Sequence, residues 1–388
     1  MDGGHLLRPP GRSPRRLRDR ILANPGFQRW AARFPLTRPV ARRRARALFD
    51  VCAGFVYAQI LFACVELRLF EILADGWQTE AVLADRLGLA PAAARRLLDA
   101  AASLHLVQRG RGRRAGAYAL GRLGAAALGN PAVAPMVAHH TLFYADLADP
   151  VALLRGEAGA TRLAAYWPYA AAGDPRALPV EVTRRYTALM AASQPAVAAE
   201  ALDAYDFGRH RRLLDVGGGN GAFLRAVGAR APRLELHLFD LPSVVAEAPG
   251  LFAAAGMAGR AVVHGGSFLS DPLPRGADIA TLVRVLHDHD DARAIAILRA
   301  VRAALPPAGT LLLVEPMAGA PGAEPVGEAY FGFYLLAMGS GRARSPAEIA
   351  ALLQHAGFGG PRFLATHTPL ITGIAVAQCR DNAHVNVP

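Results

Sequence analysis

Residues 213–225 read Leu213-Leu-Asp-Val-Gly-Gly-Gly-Asn-Gly-Ala-Phe-Leu-Arg225. An apolar strand runs into a glycine-rich turn and then into a helix. Gly217, Gly219 and Gly221 let the chain turn sharply and let a ligand approach the backbone closely. The free N–H groups at the head of the following helix point at such a ligand. Asp240 ends the next apolar run, 23 residues after Gly217, where a carboxylate can hold both hydroxyls of a ribose. The pair predicts a nucleoside site at the carboxyl edge of a parallel sheet. Two ligand classes fit it. Gly217-x-Gly219-x-x-Ala222 satisfies the dinucleotide form of the fingerprint. Asp215, however, precedes the turn, and a carboxylate there suits a cationic cofactor better than a pyrophosphate. A glycine turn without any ligand is the remaining alternative, and the Asp240 spacing speaks against it.

From Arg211 onward strands and helices alternate. Strands are expected at 212–216, 234–239, 260–264, 278–286, 310–315 and 371–377, with helices at 221–229, 242–255, 292–305 and 346–356. Near-continuous apolar strands imply a sheet covered on both faces, so the fold class is a doubly wound α/β domain with a mostly parallel sheet. Within it, Leu282-Val-Arg-Val-Leu-His-Asp-His-Asp-Asp291 places His287 just past the end of an apolar strand. Such a sheet presents its functional groups there, and histidine takes a proton near neutral pH. Asp288, His289, Asp290 and Asp291 follow. They invite a metal reading, but adjacent residues cannot all face one ion and no zinc spacing is matched, so no metal is expected. Leu311-Leu-Leu-Val-Glu315-Pro316 closes a neighbouring strand with a carboxylate. Glu315 can orient His287 and stabilise its charged form; a helix cap or a surface salt bridge is the plainer alternative.

Ahead of this half, the 388-residue chain carries a net charge of +12, and all 43 of its basic residues are arginine. With the high alanine content, that reads as genome composition. Thirteen of the arginines lie in residues 1–46 against Asp2 and Asp19, so the arm holds +11 and the rest of the chain is close to neutral. An arm of this kind can meet an anionic membrane, a nucleic acid or an acidic partner. Within it, Gly26-Phe-Gln-Arg-Trp-Ala-Ala-Arg-Phe34 puts Phe27, Trp30, Ala31 and Phe34 at helical spacing. A short basic helix like this can lie in a membrane interface, or it can pack its aromatics on its own protein. Residues 47–130 read helix, helix, helix, hairpin, a winged-helix order. The second helix of the pair offers only Arg95 and Arg96 with Asp99 close by, too little reach for base edges, so dimerisation is expected and nucleic acid is not. Residues 131–205 form a helical connector rich in aromatics, among them Phe143, Tyr144, Tyr166, Trp167, Tyr169 and Tyr186, which line a pocket or simply fill a core. Residues 206–388 form the nucleoside-binding domain. Cys52, Cys64 and Cys379 make no C-x-x-C pair, which fits a reducing cytoplasm. No signal peptide is read at the N-terminus, because its basic stretch is not followed promptly by an apolar run. Val51–Val65 is uncharged but short of the roughly 20 residues of a span, so a buried core helix is expected.

At these motifs the sequence resembles the small-molecule O-methyltransferases of the caffeate and acetylserotonin type. The likeness runs from about residue 48 to the end. It rests on the Asp-Val-Gly-Gly-Gly-x-Gly turn, Phe-Asp-Leu-Pro at 239–242, Arg-Val-Leu-His-Asp at 284–288 and Val-Glu-Pro at 314–316. The resemblance implies a class I Rossmann-like methyltransferase domain with a seven-stranded sheet, behind a winged-helix dimerisation domain. The implied cofactor is S-adenosylmethionine, held by Asp215, Gly217, Gly219, Gly221, Asp240, Leu241, Ser267, Phe268 and Arg284. His287 is then the general base, with Glu315 and Asp288 beside it. Three positions depart from the family. Ser267 stands where an aspartate meets adenine, His289 where tryptophan follows His-Asp, and Ala343, in Gly341-Arg-Ala-Arg-Ser345, where a second glutamate approaches the base.

More narrowly, the chain resembles the carotenoid hydroxyl O-methyltransferases of purple phototrophic bacteria, which act on the 1-hydroxyl of acyclic carotenoids such as hydroxyneurosporene and demethylspheroidene. Residues 26–39, His139-His140, 286–291 and Tyr330-Phe-Gly-Phe-Tyr-Leu-Leu-Ala-Met-Gly-Ser-Gly341 carry that likeness. It implies a cytoplasmic homodimer held by its basic arm at the inner membrane face, with residues 330–338 shaping an apolar pocket. The alternatives are methylation of a soluble aromatic or polyketide metabolite, and a winged-helix regulator with a methyltransferase-like sensor domain.

Overall fold

A computed structural model describes residues 14–167, 169, 175–320, 323–368 and 372–380. The first thirteen residues of the basic arm and Ile371 of the last expected strand lie outside them. The chain divides into two compact units after Ala126.

The first unit begins with α1 (Pro14–Ala23), α2 (Pro25–Arg33) and α3 (Arg38–Glu66). Asn24 caps α2 by accepting from the Phe27 N–H at 3.0 Å, and Pro25 suits its first turn. The aromatic face expected there forms. Phe27 and Trp30 lie 5.7 Å apart, Trp30 stacks on Phe34 at 5.2 Å, and Ala31 is buried beneath them. The expectation of a buried core helix over Val51–Val65 fails. α3 is 29 residues long, only Cys64 of it is buried, and Leu48, Phe49, Val51, Phe55 and Val56 are exposed. Arg38–Ala47 continues the helix beyond the apolar run, so that by length and composition alone α3 could cross a membrane. Among the described residues of the first unit, nothing covers this face.

α4 (Leu69–Ala74), β1 (Gln78–Thr79), α5 (Glu80–Arg86), α6 (Pro91–Ser103), β2 (Val107–Arg109) and β3 (Ala117–Leu120) complete the unit, and α7 (Arg122–Leu128) leads out of it. The strands form an antiparallel sheet in the order β1-β3-β2. Leu69, Leu73, Leu83 and Leu98 are wholly buried around them. Arg95 is engaged by Glu80 at 2.8 Å.

The second unit opens with helices α8 (Val133–Asp146), α9 (Pro150–Arg155), α10 (Arg162–Tyr166) and α11 (Val180–Ala204). Strands and helices then alternate as the sequence indicates: β4 (Arg212–Val216), α12 (Ala222–Arg230), β5 (Glu235–Asp240), α13 (Pro242–Val245), α14 (Ala248–Ala254), β6 (Ala261–Gly265), β7 (Ile279–Val283), α15 (Asp291–Ala304), β8 (Thr310–Glu315), α16 (Gly332–Met338), α17 (Pro346–His355), β9 (Arg362–Leu364) and β10 (Gly373–Gln378). Residues 242–255 form two short helices rather than the single one expected. β7 ends at Val283 rather than 286, because Arg284 turns out of the strand with φ of 56°. β9 was not foreseen; three residues carry too little pattern to be seen.

The sheet order is β6-β5-β4-β7-β8-β10-β9, parallel except for β10, which pairs antiparallel with both neighbours. β7 and β8 are buried at every residue. α15 and α17 cover one face with Ile297, Leu298, Val301, Ile349 and Leu353, and α11, α12 and α14 cover the other with Val197, Phe223, Leu224, Val227 and Phe252. Each such side chain contributes about 1.5–3 kcal/mol by leaving water. Strand order reverses between β4 and β7, which opens a crevice at their carboxyl ends.

Candidate active site

Five loops meet at that crevice, following β4, β5, β6, β7 and β8. After β4 the chain turns through Gly217, Gly219 and Gly221 with φ of 71°, 63° and 78°. These are left-handed conformations that glycine adopts without strain. Gly218 is needed for space instead: a Cβ there would overlap the Asp215 carboxylate and lie 2.6 Å from Leu238 Cδ1. The unbroken glycine run was its only signal in the sequence.

Asp240, at the end of β5, accepts from the Gly219 N–H at 2.8 Å and from the Leu241 N–H at 2.7 Å. Burial pushes its carboxyl up to about 6, against those two N–H groups. Asp215, at the end of β4, accepts from the Thr281 hydroxyl at 2.6 Å, and its second oxygen has no partner. Burial pushes this carboxyl up to about 7; the Thr281 bond opposes the rise and Asp240 adds to it. Two carboxylates so close to the turn would repel a pyrophosphate. They fit a nucleoside that brings hydroxyl donors and positive charge, as S-adenosylmethionine does.

A cavity of about 490 Å³ opens over the turn. Gly217, Gly219, Asp240, Leu241, Ser267, Phe268, Arg284 and Asp288 line it, as do Tyr186, Met190 and Gln194 of α11 and Trp167. Asp215 and Gly221 do not. Asp215 lies beneath the turn, and Gly221 packs inward, where a Cβ would come 2.7 Å from Phe252 Cζ. The Ser267 loop is folded by its own chain, since the Ser267 N–H donates to Asp271 Oδ2 at 2.8 Å. Phe268 meets His289 edge to face at 5.6 Å. Burial drives His289 down to about 4, with Arg293 and His287 adding to the effect, so its ring stays neutral.

Arg284 is a partly buried non-glycine residue in the left-handed region, a conformation costing about 1–3 kcal/mol that persists only where the surroundings enforce it. Its guanidinium donates to Ser193 Oγ at 2.6 Å, Met190 O at 2.9 Å and Gln194 Oε1 at 2.5 Å. These three residues stand on α11, about 90 positions upstream, and no motif announced them. Burial lowers the Arg284 pKa below the ordinary arginine value.

The kink at Arg284 delivers His287 to Glu315. Glu315 Oε2 lies 2.5 Å from His287 Nδ1, and the carboxylate also accepts the Val285, Leu286 and His287 N–H groups at 3.0, 2.7 and 3.2 Å. Its alternative role as a surface salt bridge is excluded, since it is 2% exposed. Asp288 Oδ1 lies 3.1 Å from the other ring nitrogen, Nε2. Burial alone would lower the pKa of His287, but the Asp288 and Glu315 carboxylates outweigh it and hold the ring above the ordinary histidine value. Asp288 is itself pushed up to about 6 by burial, against His287, Arg284 and Tyr186.

The run Gly341–Ser345 backs this loop. The Arg342 N–H donates to His287 O at 2.8 Å, and a Cβ at Gly341 would overlap the same carbonyl. The buried Arg344 donates to Leu286 O at 2.8 Å and His289 O at 2.7 Å, and pairs with Asp291. On the other side a π-helix, Pro325–Phe331, sets Phe331 edge-on over the His287 ring at 5.9 Å. Such helices concentrate at functional sites. Tyr330 and Tyr334 stack at 5.8 Å, and their hydroxyls lie 2.9 Å from His140 Nε2 and His139 Nε2. With Phe143, Leu163 and Trp167 they form an apolar, aromatic cluster beside His287.

Residues 144–359 match the family model of the O-methyltransferase domain, and residues 49–130 match the O-methyltransferase dimerisation domain. The demethylspheroidene O-methyltransferase of Cereibacter sphaeroides is 48% identical over 357 residues, covering 91% of this chain and 92% of that protein. The enzyme of the same name from Rhodobacter capsulatus is 43% identical, covering 89% and 85%. Among solved structures, a methyltransferase of calicheamicin biosynthesis in its SAH-bound form matches with a TM-score of 0.69 and 29% identity, covering 86% of this chain and 98% of that one.

Proposed function

Since the chain belongs to the S-adenosylmethionine-dependent O-methyltransferase family, we propose that its acceptor is the 1-hydroxyl of an acyclic carotenoid such as demethylspheroidene or hydroxyneurosporene. The likeness to the two demethylspheroidene enzymes, which spans about nine-tenths of the chain, carries this reading. The aromatic cluster of Phe143, Trp167, Tyr330 and Tyr334 supports it, because a polyene needs a long apolar surface.

Bound S-adenosylmethionine supplies a methyl group on a sulfonium centre open to displacement. Asp240 would take the ribose hydroxyls, with Leu241, Ser267 and Phe268 walling the base and Arg284 at the carboxylate or adenine side. Asp215 braces the turn from below. His287 Nε2 accepts the proton of the substrate hydroxyl, and Glu315 holds the ring by Nδ1. An aliphatic alcohol is much less acidic than a phenol, so it leans on this base more. Alignment of hydroxyl and methyl supplies a large share of the rate, and the base adds roughly 10²–10⁴.

Methyl transfer from labelled S-adenosylmethionine to a 1-hydroxylated acyclic carotenoid in vesicles tests the assignment. Wild type is expected to transfer, and His287→Ala to lose roughly 10²–10⁴ in kcat. No transfer with cofactor binding intact would point to a soluble aromatic acceptor. Equal activity in both proteins would remove His287 from the base role.

A second copy of the chain covers the apolar face of α3, as a dimerisation domain requires. The arginine-rich arm docks on an anionic membrane, the environment of the carotenoid. Deleting residues 1–46 is expected to abolish sedimentation with anionic vesicles at low salt and to leave neutral vesicles unaffected; unchanged sedimentation would count against the arm.

A further inference from the structure

His287 does not line the main cavity, but Asp288 does. The Asp288 carboxyl is interposed, with Oδ1 3.1 Å from Nε2, while Glu315 occupies Nδ1 at 2.5 Å. A ring held between two carboxylates keeps both of its protons and cannot accept a third. Asp288 therefore has to leave Nε2 before an acceptor hydroxyl can use it. A buried carboxylate that leaves one partner needs another donor. Tyr186, on α11, stands ready: it lines the same cavity as Asp288, and its hydroxyl works to hold the Asp288 carboxyl down against burial. Tyr166 and Tyr169 brace its ring edge-on at 6.2 and 5.8 Å.

We propose that Tyr186 is a positioning residue that receives the Asp288 carboxylate when substrate enters, and so uncovers His287 Nε2 for the hydroxyl; this rests on His287 being the base. Once Asp288 has turned away, one carboxylate rather than two faces the ring. Its second proton then passes to water in the cavity, and Nε2 is left with a free lone pair. Asp288 stays ionised and accepts from the Tyr186 O–H. The charged or titratable groups around the pair are Arg284 and His289 on the same loop, Glu315 on β8, Tyr186 on α11 and Tyr334 on α16.

Tyr186→Phe removes one oxygen and keeps the ring. Asp288 then holds the His287 proton more tightly. The ascending limb of the pH–kcat profile is expected to move up by about one unit, lowering kcat on that limb roughly tenfold, with KM within about twofold. Combining it with Asp288→Asn should lose no more than Asp288→Asn alone, because the two act as a unit. The same shift is read without substrate from the His287 Cε1–H resonance, assigned against His287→Gln. Its titration midpoint should rise in Tyr186→Phe, fall in Asp288→Asn, and in the double variant equal that of Asp288→Asn. An unmoved midpoint in Tyr186→Phe, or losses that add, would overturn the role. Should wild type methylate no carotenoid while the midpoint still moves, the acceptor assignment fails and the role of Tyr186 stands.

Discussion

Glu315 does two jobs with one carboxylate: it fixes the ring of His287, and it closes the loop by taking three backbone N–H groups. Glu315→Gln retains an oxygen for those groups but removes a negative charge from beside the ring. The carboxylates hold His287 above its ordinary value, so losing one lowers it. The ascending limb of the pH–rate profile is expected to move to lower pH while maximal kcat falls, because the imidazolium formed in the reaction is less stabilised. A limb that stays in place would show that Glu315 acts only on the loop. At this scale much of the site was legible. Asp240 and Glu315 each end a strand of clear apolar pattern, Gly217 and His287 follow one within four residues, and a parallel sheet gathers such ends at one edge. Tyr186 was legible only as one of the aromatics that line a pocket or fill a core, and Ser193 and Gln194 not at all, because they belong to a long helix whose alternate faces meet core and cavity, and nothing local separates the two. Arg344 was hidden for another reason: an arginine in a glycine-rich run reads as exposed, yet here it is 3% exposed and holds two carbonyls.

Elements carry the site by the way they end. α17 starts at a capping box in which Ser345 and Glu348 satisfy each other's N–H groups, with Arg342 on Glu348 at 2.6 Å. The preceding residues are those that back the His287 loop, so the cap also anchors that loop. The Ser345 N–H and hydroxyl, then Arg342, hold the Glu348 carboxyl down to about 2. A depressed carboxyl stabilises the fold fully above its ordinary value near 4.5, and the contribution fades as pH falls from there through about 2. Glu348 is 45% exposed, so solvent screens the Arg342 pair and most of the effect is the cap. Glu348→Gln is expected to lower unfolding free energy by less than about 1 kcal/mol at pH 7, Glu348→Ala by about 1 kcal/mol, and neither by a measurable amount at pH 2. Urea titrations at the two pH values check this. The helix start was readable in Ser345-Pro-Ala-Glu348. The break after Val245 was not, because Glu247-Ala-Pro-Gly250 offers punctuation without saying whether a helix bends or ends there.

For the whole molecule, the misjudged element is α3. Composition marks an apolar helix, but it cannot say whether the covering surface lies in the same chain. The exposed residues Leu48, Cys52 and Phe55 recur at helical spacing on it. A contiguous apolar stripe on a lone chain marks an interaction surface. Val51→Glu with Phe55→Glu is expected to convert a dimer to a monomer in analytical ultracentrifugation, with cofactor affinity retained; a double variant that sediments as wild type would locate the dimer contact elsewhere. The arginines sit immediately before this stripe, from Arg38 to Arg46, so the charged and apolar surfaces of the first unit follow each other along one helix. Chemically, α3 also differs from the rest of the chain in its thiols. Cys64 is buried with its pKa pushed up to about 12 by burial, Cys379 is buried and raised by the same cause, and Cys52 is exposed. A maleimide dye therefore attaches at one position without any engineering, on the very stripe in question. Its emission colour then follows that stripe into whatever covers it, water, a twin helix or lipid, as the enzyme assembles.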